Sequence, residues 1–403
     1  TNTIYTSNTA TIVSDPKSDV DPETLTAVGG AMYINTKAGT NKKEVNKLTS
    51  DKFYGNKADD KGGAVYITTE DLAMSPEAPL TEVTMNKLIF GSTSTSNPGN
   101  ESEYGGAIFN DASKLTLSAN NFIANVAAFD GGALYNNSRG VVTISKGSFG
   151  TSDKKGLVTN GNFASQGGAI FNRGYIASTS TTYAGNTAVR GGAIYTEKSE
   201  YSFADSKFEL NKVNFNYNSV ASMNGDVNVA GGAVYNDANV AVMSSNFTGN
   251  YASSGIGGAI FNSANASSMN VQKSTFSGNY AVDGGAVYNS AGSTEVVFVN
   301  DKFLNNGMGT TTGTRGGAIF NSTTGYIASI DNTVFTNNGS ELGGALFNAG
   351  VIDVMNKVTM GNAKKSSLNN TAYNGGAIYN TGSIHYIQNS VLSRNSAIMY
   401  GES

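Results

Sequence analysis

Gly-Gly-Ala occurs twelve times in this chain, each time followed by an aliphatic and then an aromatic residue, as in Gly105-Gly106-Ala107-Ile108-Phe109-Asn110. The copies begin at Gly29, Gly62, Gly105, Gly131, Gly167, Gly191, Gly231, Gly257, Gly284, Gly316, Gly343 and Gly375, so spacings run from 24 to 43 residues, the five shortest between 24 and 27. Between them sits a second motif, Phe-x-x-Asn, at Phe53/Asn56, Phe122/Asn125, Phe208/Asn211, Phe247/Asn250, Phe276/Asn279, Phe303/Asn306 and Phe335/Asn338. Tyr183/Asn186 and Leu392/Asn395 are looser versions in the same phase. A unit of this length means stacked coils or blades before it means independent globular domains.

The local pattern selects among these. Segments such as Leu115-Thr116-Leu117, Val141-Val142-Thr143-Ile144 and Val296-Val297-Phe298-Val299 are short, rich in β-branched residues and bounded by Asn, Gly, Ser or Asp, which reads as brief strands without helical periodicity. A propeller blade needs about 40 or more residues and four strands. The shorter unit fits one coil of a parallel β-helix. The expected fold is therefore all-β: a right-handed, single-stranded parallel β-helix of about twelve coils with loop insertions. No linker interrupts the register, which predicts one domain over 1–403, with an amino-terminal coil or cap (1–28), repeats (29–395) and a short end (396–403). The chain begins at Thr1 without Met and stops at Ser403 in an ordinary repeat context, as expected of a segment of a longer protein.

In such a coil each position lies above its counterpart at the strand spacing of about 4.8 Å. The aliphatic position (Met32, Val65, Ile108, Leu134, Ile170, Ile194, Val234, Ile260, Val287, Ile319, Leu346, Ile378) is never polar, which places it inside. Alternation then puts the next aromatic on the outer face, and its free exchange between Phe and Tyr predicts a partly water-exposed aromatic row. Gly-Gly-Ala suits a tight corner, because glycine permits positive φ and close backbone approach. The Asn residues of both motifs can form amide ladders between coils. The structural repeat positions are typified by Gly105, Gly106, Ala107, Asn110, Phe122 and Asn125, and again by Gly257, Gly258, Asn262, Phe276 and Asn279.

These residues together resemble the chlamydial polymorphic outer membrane proteins, autotransporters defined by repeated Gly-Gly-Ala-(Ile/Leu/Val) and Phe-x-x-Asn. The resemblance implies a right-handed β-helical passenger domain displayed outside the outer membrane and used in adhesion to host cells. Similar repeats are found in large surface adhesins of other bacteria.

Extra residues mark where binding would occur. Five units lengthen the stretch between the second-motif aromatic and the next Gly-Gly-Ala, roughly at Gly91–Tyr104, Gly150–Gln166, Lys212–Ala230, Gly307–Arg315 and Gly361–Asn374. Loops at one corner of stacked coils emerge along one side, and such per-repeat insertions often form the binding face; neutral surface loops are the alternative. Two further insertions, Thr36–Ser50 and Thr69–Val83, are expected to cap the open sheet end. The candidate binding surface comprises Tyr104, Tyr135, Tyr195, Tyr217, Tyr235, Tyr288, Arg315 and Tyr373.

Other chemistries find less support. A net charge of −4 without a basic cluster leaves no electrostatic footprint for nucleic acid or an anionic membrane. The absence of cysteine removes disulfides and thiolate metal sites, and suits a bacterial product that crosses an oxidising periplasm unfolded. No apolar stretch reaches the roughly 20 residues of a membrane-spanning helix. β-Helical lyases and glycosidases gather carboxylates on adjacent coils. Here Asp130 and Asp283 precede Gly-Gly-Ala, but the equivalent positions include Lys61, Tyr104, Gln166, Arg190, Ala230, Arg315 and Asn374. The sole histidine, His385, reads as an ordinary strand residue. Neither the Ca²⁺-binding nonapeptide nor a Walker or His-Glu-x-x-His motif occurs. The expectation is a non-enzymatic, cofactor-free adhesin passenger, extracellular and surface-displayed or secreted, whose partner is a host-cell protein or glycan. Self-association as a structural subunit of an extracellular layer is the alternative, and a polysaccharide-active enzyme the second.

Overall fold

A computed structural model describes residues 3–11, 27–37, 45–70, 80–96, 98–153, 160–199, 206–222, 228–292, 295–307, 313–362, 364 and 368–398. The chain divides into two compact units, the first Thr1–Ala188 with Ala193–Phe208, the second Val189–Gly192 with Glu209–Ser403. Each is a parallel β-solenoid. Of the two amino-terminal insertions expected to cap the fold, 38–44 and 71–79 lie outside the described residues, whereas Val45–Thr49 and Thr81–Asn86 are strands that pair in parallel as part of the coils.

Each coil contributes three main strands. In the first unit the Gly-Gly-Ala strands Ile108–Asn110, Leu134–Asn136 and Ile170–Asn172 pair in parallel with Ile108, Leu134 and Ile170 in one register. Next come strands such as Ser113–Ser118 and Val141–Ser145, then short Phe strands such as Asn121–Phe122 and Ser148–Phe149. The second unit repeats this order with Ile260–Asn262, Ser268–Gln272 and Thr275–Ser277. A fourth strand precedes several of the corners, as in Glu101–Tyr104, Val126–Asp130 and Tyr280–Asp283.

The core follows from period-two alternation. The strand Ser113–Ser118 buries Leu115 and Leu117 while Lys114 and Thr116 face water. Down the centre of the first unit Tyr5, Phe53, Phe90, Phe122, Phe149 and Tyr183 stack nearly parallel at 4.5–5.0 Å. In the second unit Phe215, Phe247, Phe276, Phe303 and Phe335 do the same at 4.6–4.9 Å. Burying such a ring contributes roughly 2–3 kcal/mol, with stacking adding about 0.5–1.5 kcal/mol per pair.

Polar groups inside are satisfied by repetition. Asn125 Oδ1 accepts the Asn100 backbone N–H and side-chain amide at 3.0 and 2.9 Å, while Asn125 Nδ2 donates to Phe90 O and Asn162 Oδ1 at 3.0 and 2.9 Å. Asn250, Asn279 and Asn306 repeat this pattern in the second unit. A second ladder links Asn110, Asn136 and Asn172 at 2.8 Å, and Asn236, Asn262, Asn289 and Asn321 at 2.7–2.8 Å. A third column offers side-chain acceptors to main-chain N–H groups: Ser245 N to Ser274 Oγ, Ser274 N to Asp301 Oδ1 and Asp301 N to Thr333 Oγ1.

The corners explain the glycines. Gly105 and Gly257 have φ of +64° and +66°, and a Cβ on the following Gly106 would strike the Gly132 and Val126 carbonyl oxygens. Another corner uses no glycine. Lys87, Ala119, Lys146 and Ser180 in the first unit, and Lys212, Ser244, Lys273, Asn300, Asn332 and Lys357 in the second, all have φ between 46° and 60°. Most of these side chains are exposed.

Two expectations are corrected by the stacking. Phe208/Asn211 is not a copy of the second motif: Phe208 is a buried residue of the strand Lys207–Asn211 and Asn211 is exposed. Phe215 occupies the ring position, stacked 4.6 Å from Phe247, and Asn218 the ladder position, donating to Asn250 Oδ1 at 3.0 Å. The insertions also leave at two places. Three split the second motif itself, since ladder residues Asn100, Asn162 and Asn370 lie ten or more residues beyond Phe90, Phe149 and Met360. Their bases are pinched: a Cβ on Gly91 would lie 2.9 Å from Gly99 Cα, and one on Gly150 2.8 Å from Gly161 Cα. The other two follow the ladder residues Asn218 and Asn306.

Candidate binding cleft

The outer aromatic row is far less open than its sequence implies. Tyr135 and Tyr195 are each 5% exposed, and Phe109, Phe171, Phe320 and Phe347 are also buried, whereas Tyr66, Tyr235, Tyr288 and Tyr379 are half-buried. The rings hide one another's faces, as in Phe109–Tyr135 at 4.6 Å and Tyr288–Phe320 at 4.8 Å. Side chains flanking the row cover the remainder. Arg315 lies 4.7 Å over Phe320, Arg173 5.5 Å over Phe171 and Lys61 5.7 Å over Phe109. Burial first, then Asp237, pushes the Tyr235 phenol up to about 12, so it remains a neutral hydrogen-bonding group at physiological pH.

In the first unit this cover opens into a cleft of about 370 Å³ lined by Lys61, Tyr104, Phe109, Asp130, Tyr135, Asn137 and Arg173. The corner geometry puts them together. Lys61, Tyr104 and Asp130 each directly precede a Gly-Gly-Ala corner and bridge in register, Lys61 to Tyr104 and Tyr104 to Asp130. Asn137 and Arg173 follow the ladder residues Asn136 and Asn172, so they rise on the opposite wall. Phe109 and Tyr135 form the floor, and Tyr104 meets Tyr135 edge-on at 5.9 Å. At the mouth Phe129, 47% exposed, lies 5.3 Å from Tyr104.

The polar groups are held in place. Arg173 Nε donates to Glu197 Oε1 at 2.5 Å and Lys61 Nζ to Asp60 Oδ2 at 3.0 Å. Asn137 Nδ2 donates at 2.7 Å to Asp111, which also accepts from Thr68 and Tyr66. Burial raises the Tyr104 phenol pKa, and Asp130, Glu103 and Asp60 raise it further, Arg173 opposing. Burial likewise raises Tyr135. The cleft thus offers neutral phenols, donors of positive charge and one lining carboxylate.

Of the residues expected to bind, Tyr104 and Tyr135 meet in this cleft. Tyr195, also in the first unit, stacks on Phe171 at 5.3 Å. In the second unit Tyr288 is a ring of that unit's own row and Arg315 lies over it, fastened by a two-point ion pair to Asp283 at 2.8 and 2.5 Å. Tyr217 is half-buried with its ring against Gly249, Tyr235 pairs with Phe261, and the Tyr373 N–H donates to Glu341 O. Lys61 and Asp130 carried no binding role in the sequence reading, and Asn137 and Arg173 went unnoticed. Their signal is positional: the places just before Gly-Gly-Ala and just after the ladder Asn flank the ring row.

A second recess, of about 270 Å³, lies on the outer sheet face of the second unit, where Ala241 is small between Glu209, Met243 and Asn270. His385 Nδ1 stands 2.9 Å from Asp353 Oδ1 on an exposed strand face of that unit. Among the described residues no group of three or more His, Cys, Asp or Glu could hold a metal ion, and no helix is long and apolar enough to cross a membrane.

Two segments carry the Chlamydia polymorphic membrane protein repeat: the family model matches residues 52–68 and 273–290. Each contains one Phe-x-x-Asn followed by one Gly-Gly-Ala, Phe53/Asn56 with Gly62 and Phe276/Asn279 with Gly284. No match to a curated protein or to a solved structure was found.

Proposed function

We propose that this chain is a passenger segment of a bacterial adhesin, displayed outside the cell or secreted, that attaches to a host-cell protein or glycan. The observation that carries the reading is the cleft in the first unit, where aromatic, cationic and acidic side chains from successive coils converge on a rigid floor. A preformed recess of this kind with a few converging polar groups is the usual form of a small binding site. The repeat match and the parallel β-solenoid are consistent with it. The split-motif loops add detachable surface, because the ring and amide columns run past them unbroken.

Attachment of the labelled chain to epithelial cells tests the reading. Two variants accompany it: Arg173→Ala with Tyr104→Ala, and a loop-trimmed chain lacking 92–98 and 151–160, which leaves Phe-Gly-Gly-Asn at both places. Saturable attachment of the parent, with a loss of tenfold or more in either folded variant, supports adhesion through that element. A parent chain that does not attach refutes it.

A further inference from the structure

The cleft's walls narrow the class of ligand. Its volume, about 370 Å³, is that of a small-molecule site and lies at the low end of the roughly 300–1,000 Å³ range. Its charges are mixed and already paired. Lys61 is held by Asp60 and Arg173 by Glu197, while Asp130 adds a negative charge among the cations. An anionic ligand would bring its charge against Asp130, and a cationic one against Lys61 and Arg173. A neutral polyol meets neither penalty, because each hydroxyl both donates and accepts. Asp130 can accept from it, while the guanidinium, whose fork carries five N–H donors, uses only Nε in its ion pair. The half-buried Tyr104 ring, flanked by the exposed Phe129, adds a flat apolar surface at the mouth. A ring with an apolar face and a hydroxylated rim matches both features.

Building on the adhesin reading, we propose that this cleft binds a neutral hexose residue of a glycan, its C–H face on Tyr104 and its hydroxyls on Asp130, Lys61 and Arg173. The ring floor of Phe109 and Tyr135, stacked at 4.6 Å, fixes the recess before the sugar arrives, so little ordering opposes binding.

The test is saturation-transfer NMR on the whole chain with methyl glycosides of glucose, galactose and mannose, with N-acetylglucosamine, and with N-acetylneuraminic acid as the anionic control. The expected result is transfer to one face of at least one neutral sugar, with weaker transfer to the anionic one. Tyr104→Phe keeps the signal, whereas Tyr104→Ala and Asp130→Asn each weaken it fivefold or more at unchanged thermal midpoint. Phe129→Ala, at an exposed side chain, serves if Tyr104→Ala fails to fold, and is expected to weaken the signal at least twofold. No transfer from any neutral sugar, preference for the anionic one, or full signal in Tyr104→Ala overturns the proposal. Cell attachment separates the two readings. Attachment undiminished by Tyr104→Ala leaves adhesion standing and removes the sugar site, as does attachment that needs Tyr104 while no hexoside binds, which marks a protein-docking cleft. Hexoside binding without attachment does the reverse.

Discussion

Tyr183 stands in a column whose other fully buried rings, Phe53, Phe90, Phe122 and Phe149, are all Phe, and its hydroxyl is 3.1 Å from Ser178 Oγ, a polar residue at an inward position that other coils fill with Leu117 or Ile144. The two departures compensate one another. Ser178→Ala is expected to cost about 1–3 kcal/mol by stripping a buried hydroxyl of this bond, and adding Tyr183→Phe to recover most of the loss; a double-mutant cycle by urea denaturation measures the coupling. Asp301 has no such compensation. Its Oδ1 accepts the Ser274 N–H at 2.7 Å, but Oδ2 is buried without a partner, and burial pushes the carboxyl up to about 7. A folded pKa above the unfolded value of about 3.9 means stability is fully present below that pH and lost as pH rises through 7. Thermal melts are therefore expected to fall between pH 5 and pH 8, and Asp301→Asn to flatten that fall and raise stability at pH 8 by up to roughly 4 kcal/mol. A melt that is flat from pH 5 to 8 in the parent contradicts this.

The repeating columns were legible in the sequence because stacking forces like onto like: the inward aliphatic residue, the corner glycines and the ladder amides recur in fixed phase whenever the motifs stay intact. What escaped were distances along the chain that stacking does not fix. Phe90 and Asn100 are one motif held open by a loop, which no three-residue spacing reveals, and Phe208 imitates a motif because a core strand also buries a Phe. Burial of the outer rings depends on groups such as Arg173 and Arg315 folding over them from the variable positions at either edge of the row. The cleft was only half legible for the same reason: its floor rings Phe109 and Tyr135 recur in a motif, but the residues around them lie scattered from Lys61 to Arg173. Ladder amides carry much of the coil-to-coil cohesion. Asn279→Ala removes the acceptor of the Asn250 N–H and the donor to Phe247 O, and at about 1–3 kcal/mol per buried group left unsatisfied is expected to cost at least about 3 kcal/mol in a denaturant titration. Asn246→Ala, an exposed rung bonded to Asn214 Oδ1 at 2.9 Å, is expected to cost under about 0.5 kcal/mol.

Coils that contact their neighbours alone do not melt as one body, because the stability of a stacked repeat is a sum of local terms. Calorimetry is expected to give a van't Hoff enthalpy below the calorimetric one, and hydrogen exchange to show strongest protection at Phe122, Asn125, Phe276 and Asn279, which lie within their units; a single two-state transition refutes this. A low charge content, 14% of residues with a net −4, leaves weak long-range repulsion between such copies of the fold. The corner with left-handed backbone at Lys87, Ala119, Lys146 and Ser180, and again at Ser244, Lys273, Asn300 and Asn332, has one more consequence. Four residue types occupy one conformation there, and most of these side chains point into water, so the shape of the backbone does not depend on which of them is present. Chemical identity along that edge is free to drift from coil to coil, and a recognising molecule such as an antibody would find a changing texture on an unchanging form.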